Sequence, residues 1–141
     1  MLNALRIDTK TNKIRLGAGA TGVFRVDVPD QNHTMFDISK DIGLFILCKE
    51  NSEQHSKYDT VFSKTIIPQE TDSGYVFLVD FANEDTRELD LGIYSWNLTI
   101  VTDPVYDTNG LPICDERSDN VYPIFTGELP KFMLEGVGHI V

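Results

Sequence analysis

Apolar residues recur along this chain mostly with a period of two, in short bursts separated by turn residues. The clearest are Gly22–Val28 (GVFRVDV), Gly43–Lys49 (GLFILCK), Thr60–Ile67 (TVFSKTII), Gly74–Phe81 (GYVFLVDF) and Gly92–Thr102 (GIYSWNLTIVT). Each is rich in β-branched or aromatic residues, which suit a pleated, half-buried surface, so each predicts a strand. In the first, Phe24, Val26 and Val28 alternate with Arg25 and Asp27. In the last, Tyr94, Trp96, Leu98 and Ile100 share one face while Ser95, Asn97 and Thr99 share the other, which predicts a dry side and a wet side. No stretch sustains a 3.6-residue period. Asn83–Leu89 (NEDTREL) alone reads as helical, for one or two turns, with Asn83 as N-cap and acids in the first turn. Residues 51–59 and 68–73 read as connections. Residues 103–120 hold two prolines, five acids and Asn109-Gly110, which predicts a long loop or hairpin. A final strand is expected through Val121–Phe125, resuming at Lys131–Leu134. Residues 1–12 are either an N-terminal arm or an edge strand. The class is all-β, in one domain over 1–141.

One local signature narrows the arrangement. Asp90, Gly92 and Tyr94 are spaced D-x-G-x-Y within LDLGIYSW. In immunoglobulin-like sandwiches this spacing builds a tyrosine corner, in which the hydroxyl bonds back to upstream backbone where the chain crosses between sheets. Trp96 stands where antibody domains carry their second cysteine, so no inter-sheet disulfide is expected. The predicted fold is an immunoglobulin-like antiparallel β-sandwich with a short helical turn near 83–89, and Asp90, Gly92, Tyr94 and Trp96 form its structural corner.

Composition changes this picture little and charge changes it more. Apolar residues are 41% and charged residues 24% of 141, ordinary globular usage. No apolar run approaches the ~18 residues of a membrane helix. The opening MLNALRIDTKTNK lacks the apolar core of a secretory signal, so synthesis in the cytoplasm is expected. Twelve Lys/Arg against 22 Asp/Glu give −10, which disfavours nucleic acid or an anionic membrane as partner. The bias is uneven. Residues 1–25 carry five cations against Asp8 alone, a net +4, whereas the remainder carries seven against 21, a net −14. A basic region led by Arg6, Lys13 and Arg15 is therefore a candidate interface for an acidic face of another copy.

Candidate chemistry is sparse. Gly17-Ala18-Gly19-Ala20-Thr21-Gly22 matches G-x-G-x-x-G, but a strand pattern follows where the dinucleotide fingerprint needs a helix, so the segment reads as a flexible link. His33, His55 and His139 have no metal-ligand spacing and read as solvated. Asp107-x-Asn109-Gly110, with Asp103, Asp115, Glu116 and Asp119 nearby, resembles part of a calcium loop, but the twelfth position is Ser118 rather than Glu. It reads as an acidic turn. Cys48 and Cys114 share no CxxC spacing and are expected to be reduced. The sequons at Asn32 and Asn97 read as incidental, and Tyr58, Tyr106 and Tyr122 as single surface aromatics. No GxSxG elbow or Cys–His context points to hydrolysis, so no enzyme, cofactor or metal is expected.

The order of elements resembles a known family. A G-x-T-G turn leads into a strand (Ala18 to Val28), and a link with Asp37 and Asp41 enters an apolar strand. Then come K-T-I-I (Lys64 to Ile67), G-Y-V-F-L-V, and D-T-x-x-L-x-x-G-x-Y-x-W-x-L (Asp85 to Leu98). Over roughly residues 13 to 135 this is similar to the immunoglobulin-like N-terminal domain of phage baseplate upper proteins and related short phage or prophage virion proteins. Ala20 stands where such domains carry an acid, the segment after Asp103 is longer, and no fibre portion follows Val141. The resemblance implies a stand-alone component or a truncated relative. Its role would be non-enzymatic: a virion component assembled in the bacterial cytoplasm that packs as a homo-oligomer or with other tail or baseplate proteins. A carbohydrate- or ligand-binding sandwich module is the alternative.

Overall fold

The computed structural model describes residues 5–30, 37, 39–49, 60–110, 112 and 121–136. The strands are β1 (Leu5–Ile7), β2 (Ile14–Gly17), β3 (Gly22–Pro29), β4 (Ile42–Lys49), β5 (Thr60–Ile66), β6 (Gln69–Thr71), β7 (Gly74–Phe81), β8 (Gly92–Val101), β9 (Val121–Pro123) and β10 (Lys131–Glu135). One helical turn, α1 (Asn83–Thr86), lies between β7 and β8. The larger sheet runs β1-β2-β10-β8-β4-β5, with β9 also on β8, and the smaller runs β3-β7-β6. The molecule is thus all-β with two sheets facing each other in a sandwich-like arrangement. The sheets share no strand and do not close on one another. No helix among the described residues is long and apolar enough to cross a membrane.

The five segments all become strands: β3 buries one face in alternation, whereas β4 is buried on both faces from Ile42 to Cys48. Phe24 and Phe81 from the smaller sheet meet Phe45, Trp96 and Phe132 from the larger, with ring centroids 5.2 Å apart for Phe24–Trp96, 5.4 Å for Phe45–Phe81 and 5.6 Å for Phe81–Phe132. Such pairs add about 0.5–1.5 kcal/mol each beyond the area they bury. Lys64 ties the layers at their rim, its ammonium donating to the Asp80 carbonyl oxygen at 2.7 Å and to Asp85 Oδ2 at 3.0 Å.

Several expectations are corrected. The pairing is not wholly antiparallel: β2 and β10 run parallel. They come from distant parts of the chain, so no tight turn forces them into opposite directions. Residues 69–71 form β6, hydrogen-bonded to β7 across a short hairpin, rather than lying wholly within a connection. The wet side of β8 is dry: Ser95, Asn97 and Thr99 are buried, beside Leu44, Ile46 and Cys48 of β4. Small polar side chains can be buried where hydrogen bonds replace water, so polarity alone misassigns that face. Asn83 is not the N-cap. Ala82 occupies that position, and its N–H donates to Asp85 Oδ2 at 2.8 Å. The G-x-G-x-x-G link is also pinned rather than free, because Gly19 N–H donates to Thr86 Oγ1 at 2.9 Å and Asn83 Nδ2 donates to the Gly19 carbonyl oxygen at 2.7 Å.

The last strand is broken as the pattern suggested. Both β9 and β10 pair with the same side of β8, β9 at Thr99–Val101 and β10 at Gly92–Ser95. Between them the chain swings outward, and Ile124 N–H to the Leu98 carbonyl oxygen (2.9 Å) and Trp96 N–H to the Pro130 carbonyl oxygen (3.1 Å) mark where it leaves and returns.

Candidate interaction surface

At the start of β8 the Tyr94 hydroxyl donates to the Asp90 carbonyl oxygen, where the chain passes from the smaller sheet through α1 to the larger. Gly92 has φ 144°, in the region that favours glycine. Trp96 is buried, and its indole N–H donates to the Asn12 carbonyl oxygen at 2.9 Å. That bond nails the β1–β2 turn onto the core. Asn12 takes φ 60° there, a left-handed conformation that asparagine tolerates.

The turn holds one wall of a cleft. Thr11, Asn12 and Lys13 face Phe125 and residues 128–131 across about 530 Å³. The opposite wall is the outward swing between β9 and β10. Lys13 and Lys131 both line this space, with Phe125 as its aromatic wall, packed edge-on against Trp96 at 5.2 Å.

Beyond the cleft the outer face of the larger sheet carries one cross-strand row. Ile93 of β8 pairs with Met133 of β10, Met133 with Arg15 of β2, and Arg15 with Arg6 of β1. Alternation places Leu5 and Ile7 toward the core, so Arg6 points out. The three cations singled out in the sequence, Arg6, Lys13 and Arg15, therefore lie on one flank, joined by Lys131. Arg15 Nε meets Glu135 Oε1 at 2.7 Å. Among the described residues neither Arg6 nor Lys13 has an ion-pair partner. Arg25 lies apart on β3, where Asp27 raises its already high basicity through a hydrogen bond and the accompanying charge. Lys131, Met133 and Ile93 were not anticipated for this surface. The register brings Lys131 and Met133 beside β2 and sets Ile93 one strand further, and no local sequence signal could have done so.

The opposite charge collects where β8 ends. Asp41 is buried, and its carboxylate accepts from Asp37 N–H at 2.7 Å and from Asp103 N–H at 2.8 Å. Burial pushes the Tyr75 hydroxyl above its ordinary pKa, and the charges of Asp30, Glu70, Asp37 and Asp41 push it further. Asp37 is held below the usual carboxylate range by the hydroxyl and N–H of Ser39.

The described residues contain no group of three or more potential metal ligands. Asp107 Oδ1 accepts from Asn109 N–H within its own turn, at 2.8 Å. Asp115, Glu116, Asp119, Cys114, Tyr58 and the three histidines lie outside the described residues. So does the Asn32 sequon, whereas Asn97 is fully buried and its amide is engaged with Phe125. In the glycine-rich link the amides of Ala18, Gly19 and Ala20 are each hydrogen-bonded within the chain, so they are not directed at a phosphate. Cys48 is buried and forms no disulfide among the described residues, and its sulfur lies 3.9 Å from Thr60 Oγ1.

No protein-family model, curated protein or solved structure matches this chain.

Proposed function

We propose that this chain is a non-enzymatic assembly module, an immunoglobulin-like domain of the phage baseplate or tail type that packs with copies of itself or with other virion proteins. The observation that carries the reading is the flank of β1, β2 and β10, where Arg6, Arg15, Lys13 and Lys131 gather on a chain of net charge −10. These four cations outnumber Glu128 and Glu135 on the same flank, and a net positive patch on an otherwise acidic surface favours and orients a protein partner. The strand order supports the immunoglobulin-like part. If β3, β7 and β6 are taken as strands B, E and D, and β4, β5, β8 and β10 as C, C′, F and G, the division between sheets follows that of a variable-type sandwich. Replacing Arg6, Lys13 and Arg15 together with Glu tests the reading. Assembly should be lost with the melting temperature little changed, and undiminished assembly would contradict an interface on this flank.

A carbohydrate- or ligand-binding role is the second reading, favoured by the cleft with its Phe125 wall and paired lysines. Thermal melts against a glycan panel test it, because a ligand that binds only the folded state raises the midpoint.

A further inference from the structure

We propose that the outer face of β1, β2 and β10 docks onto the acidic end of a second copy of this chain, a head-to-tail contact that rests on the assembly reading and names its two surfaces.

The basic face is strained as it stands. Arg6 and Arg15 are direct partners in an antiparallel pair, and like charges placed directly opposite destabilise a sheet. The parallel register that sets Phe132 against Ile14 also brings Lys13 and Lys131 to neighbouring positions. Glu135 offsets Arg15. The same row continues into Met133 and into Ile93, which is 43% exposed, with Leu91 exposed just before it. An apolar strip bordered by cations matches the anatomy of a docking surface, whose centre sheds water while its rim selects the sign of the partner.

The second copy offers the complement. Exposed Asp37, Glu70 and Asp103 lie at the end where β3 and β8 finish, over the buried Asp30 and Asp41, and the Asp41 carboxylate holds the N–H groups of Asp37 and Asp103. Asp72 lies in the turn joining β6 to β7 at this end. Exposed Ile67, Val105, Tyr106 and Tyr122 stand around the same end. The two surfaces therefore pair apolar with apolar and cation with carboxylate. They are different patches, one on a sheet flank and one on a sandwich end, so the contact is heterologous. It closes a ring if the rotation allows and otherwise extends a filament. Because Arg6, Arg15, Glu70 and Asp72 are exposed, raising salt weakens it.

The test uses two charge-reversed variants of the full chain, Arg6→Glu/Lys13→Glu and Glu70→Lys/Asp72→Lys, each first shown to melt like the parent. Arg6→Glu sets an acid opposite Arg15, which favours folding of that variant. Masses are measured by light scattering. The expected result is that the parent associates, each variant alone is monomeric, and a mixture of the two associates again, since each then meets the opposite sign on both surfaces. If the parent associates and either variant does so equally well, the two surfaces are wrong while the assembly reading stands. If both variants are monomeric and their mixture stays monomeric, the pairing of these surfaces is overturned. A parent that is monomeric at every concentration overturns the assembly reading and this contact together.

Discussion

The side-chain amide of Asn97 holds both backbone groups of Phe125, its Nδ2 donating to the carbonyl oxygen at 3.0 Å and its Oδ1 accepting from the N–H at 3.1 Å. Two strands would ordinarily exchange such bonds backbone to backbone. Here a fully buried side chain supplies them where the last strand leaves β8. Asn97→Leu keeps the branched shape but leaves both Phe125 groups without these partners, so it should cost about 2 kcal/mol. Urea unfolding reads this as a lowered midpoint with an unchanged slope. An unchanged midpoint would mean the amide does not hold the broken strand.

The Tyr94 hydroxyl donates to the Asp90 carbonyl oxygen, and its ring is part of the core. Tyr94→Phe should lose about 1 kcal/mol, the worth of one hydrogen bond. Trp96→Ala removes the ring that contacts Phe24, Phe45 and Phe125, and should lose about 3–5 kcal/mol. Calorimetric melts distinguish the two, and equal losses would contradict the separate roles of hydrogen bond and packing.

Much of the fold was legible because it depends on alternation. Phe24 and Trp96 lie in period-two segments, Phe45 and Phe77 in short apolar runs, and all four are buried in the core. What escaped depends on non-local pairing. Ile14–Gly17 is too short to register as a period, and it is a strand because β10 and β1 flank it. Ser95 and Thr99 look like solvent-facing residues until β4 and β9 are placed beside them. The candidate surface divides the same way. Arg6, Lys13 and Arg15 were visible as an uneven run of charge, whereas Lys131 and Met133 join them only through the parallel register.

Gly43 faces Phe77 closely. A Cβ there would stand 2.7 and 2.8 Å from ring carbons of Phe77, well inside van der Waals contact. Gly43→Ala should therefore destabilise by about 1–3 kcal/mol through overpacking between the sheets. Gly127→Ala, with open space around its Cβ, should be close to neutral. Chemical denaturation of the pair checks both, and a neutral Gly43→Ala would show that the sheets can separate at that point.

Burial raises the hydroxyl pKa of both Tyr75 and Tyr94, and nearby carboxylates add to it. Folding thus favours the neutral phenol. The resulting stability is fully present below the ordinary tyrosine value of about 10 and is lost as pH rises through the higher folded values. Urea midpoints should hold between pH 8 and about 10 and then fall. Tyr75→Phe should flatten that fall, and a variant falling as steeply as the parent would remove Tyr75 as a cause.

The central claim is that this chain assembles through its charged flank. The most direct measurement is absolute mass by light scattering after size exclusion, across protein concentration and at low and high salt. The account predicts an assembly larger than the monomer, a closed ring or an extending filament, that loosens as salt is raised. A monomer at every salt and concentration would contradict it.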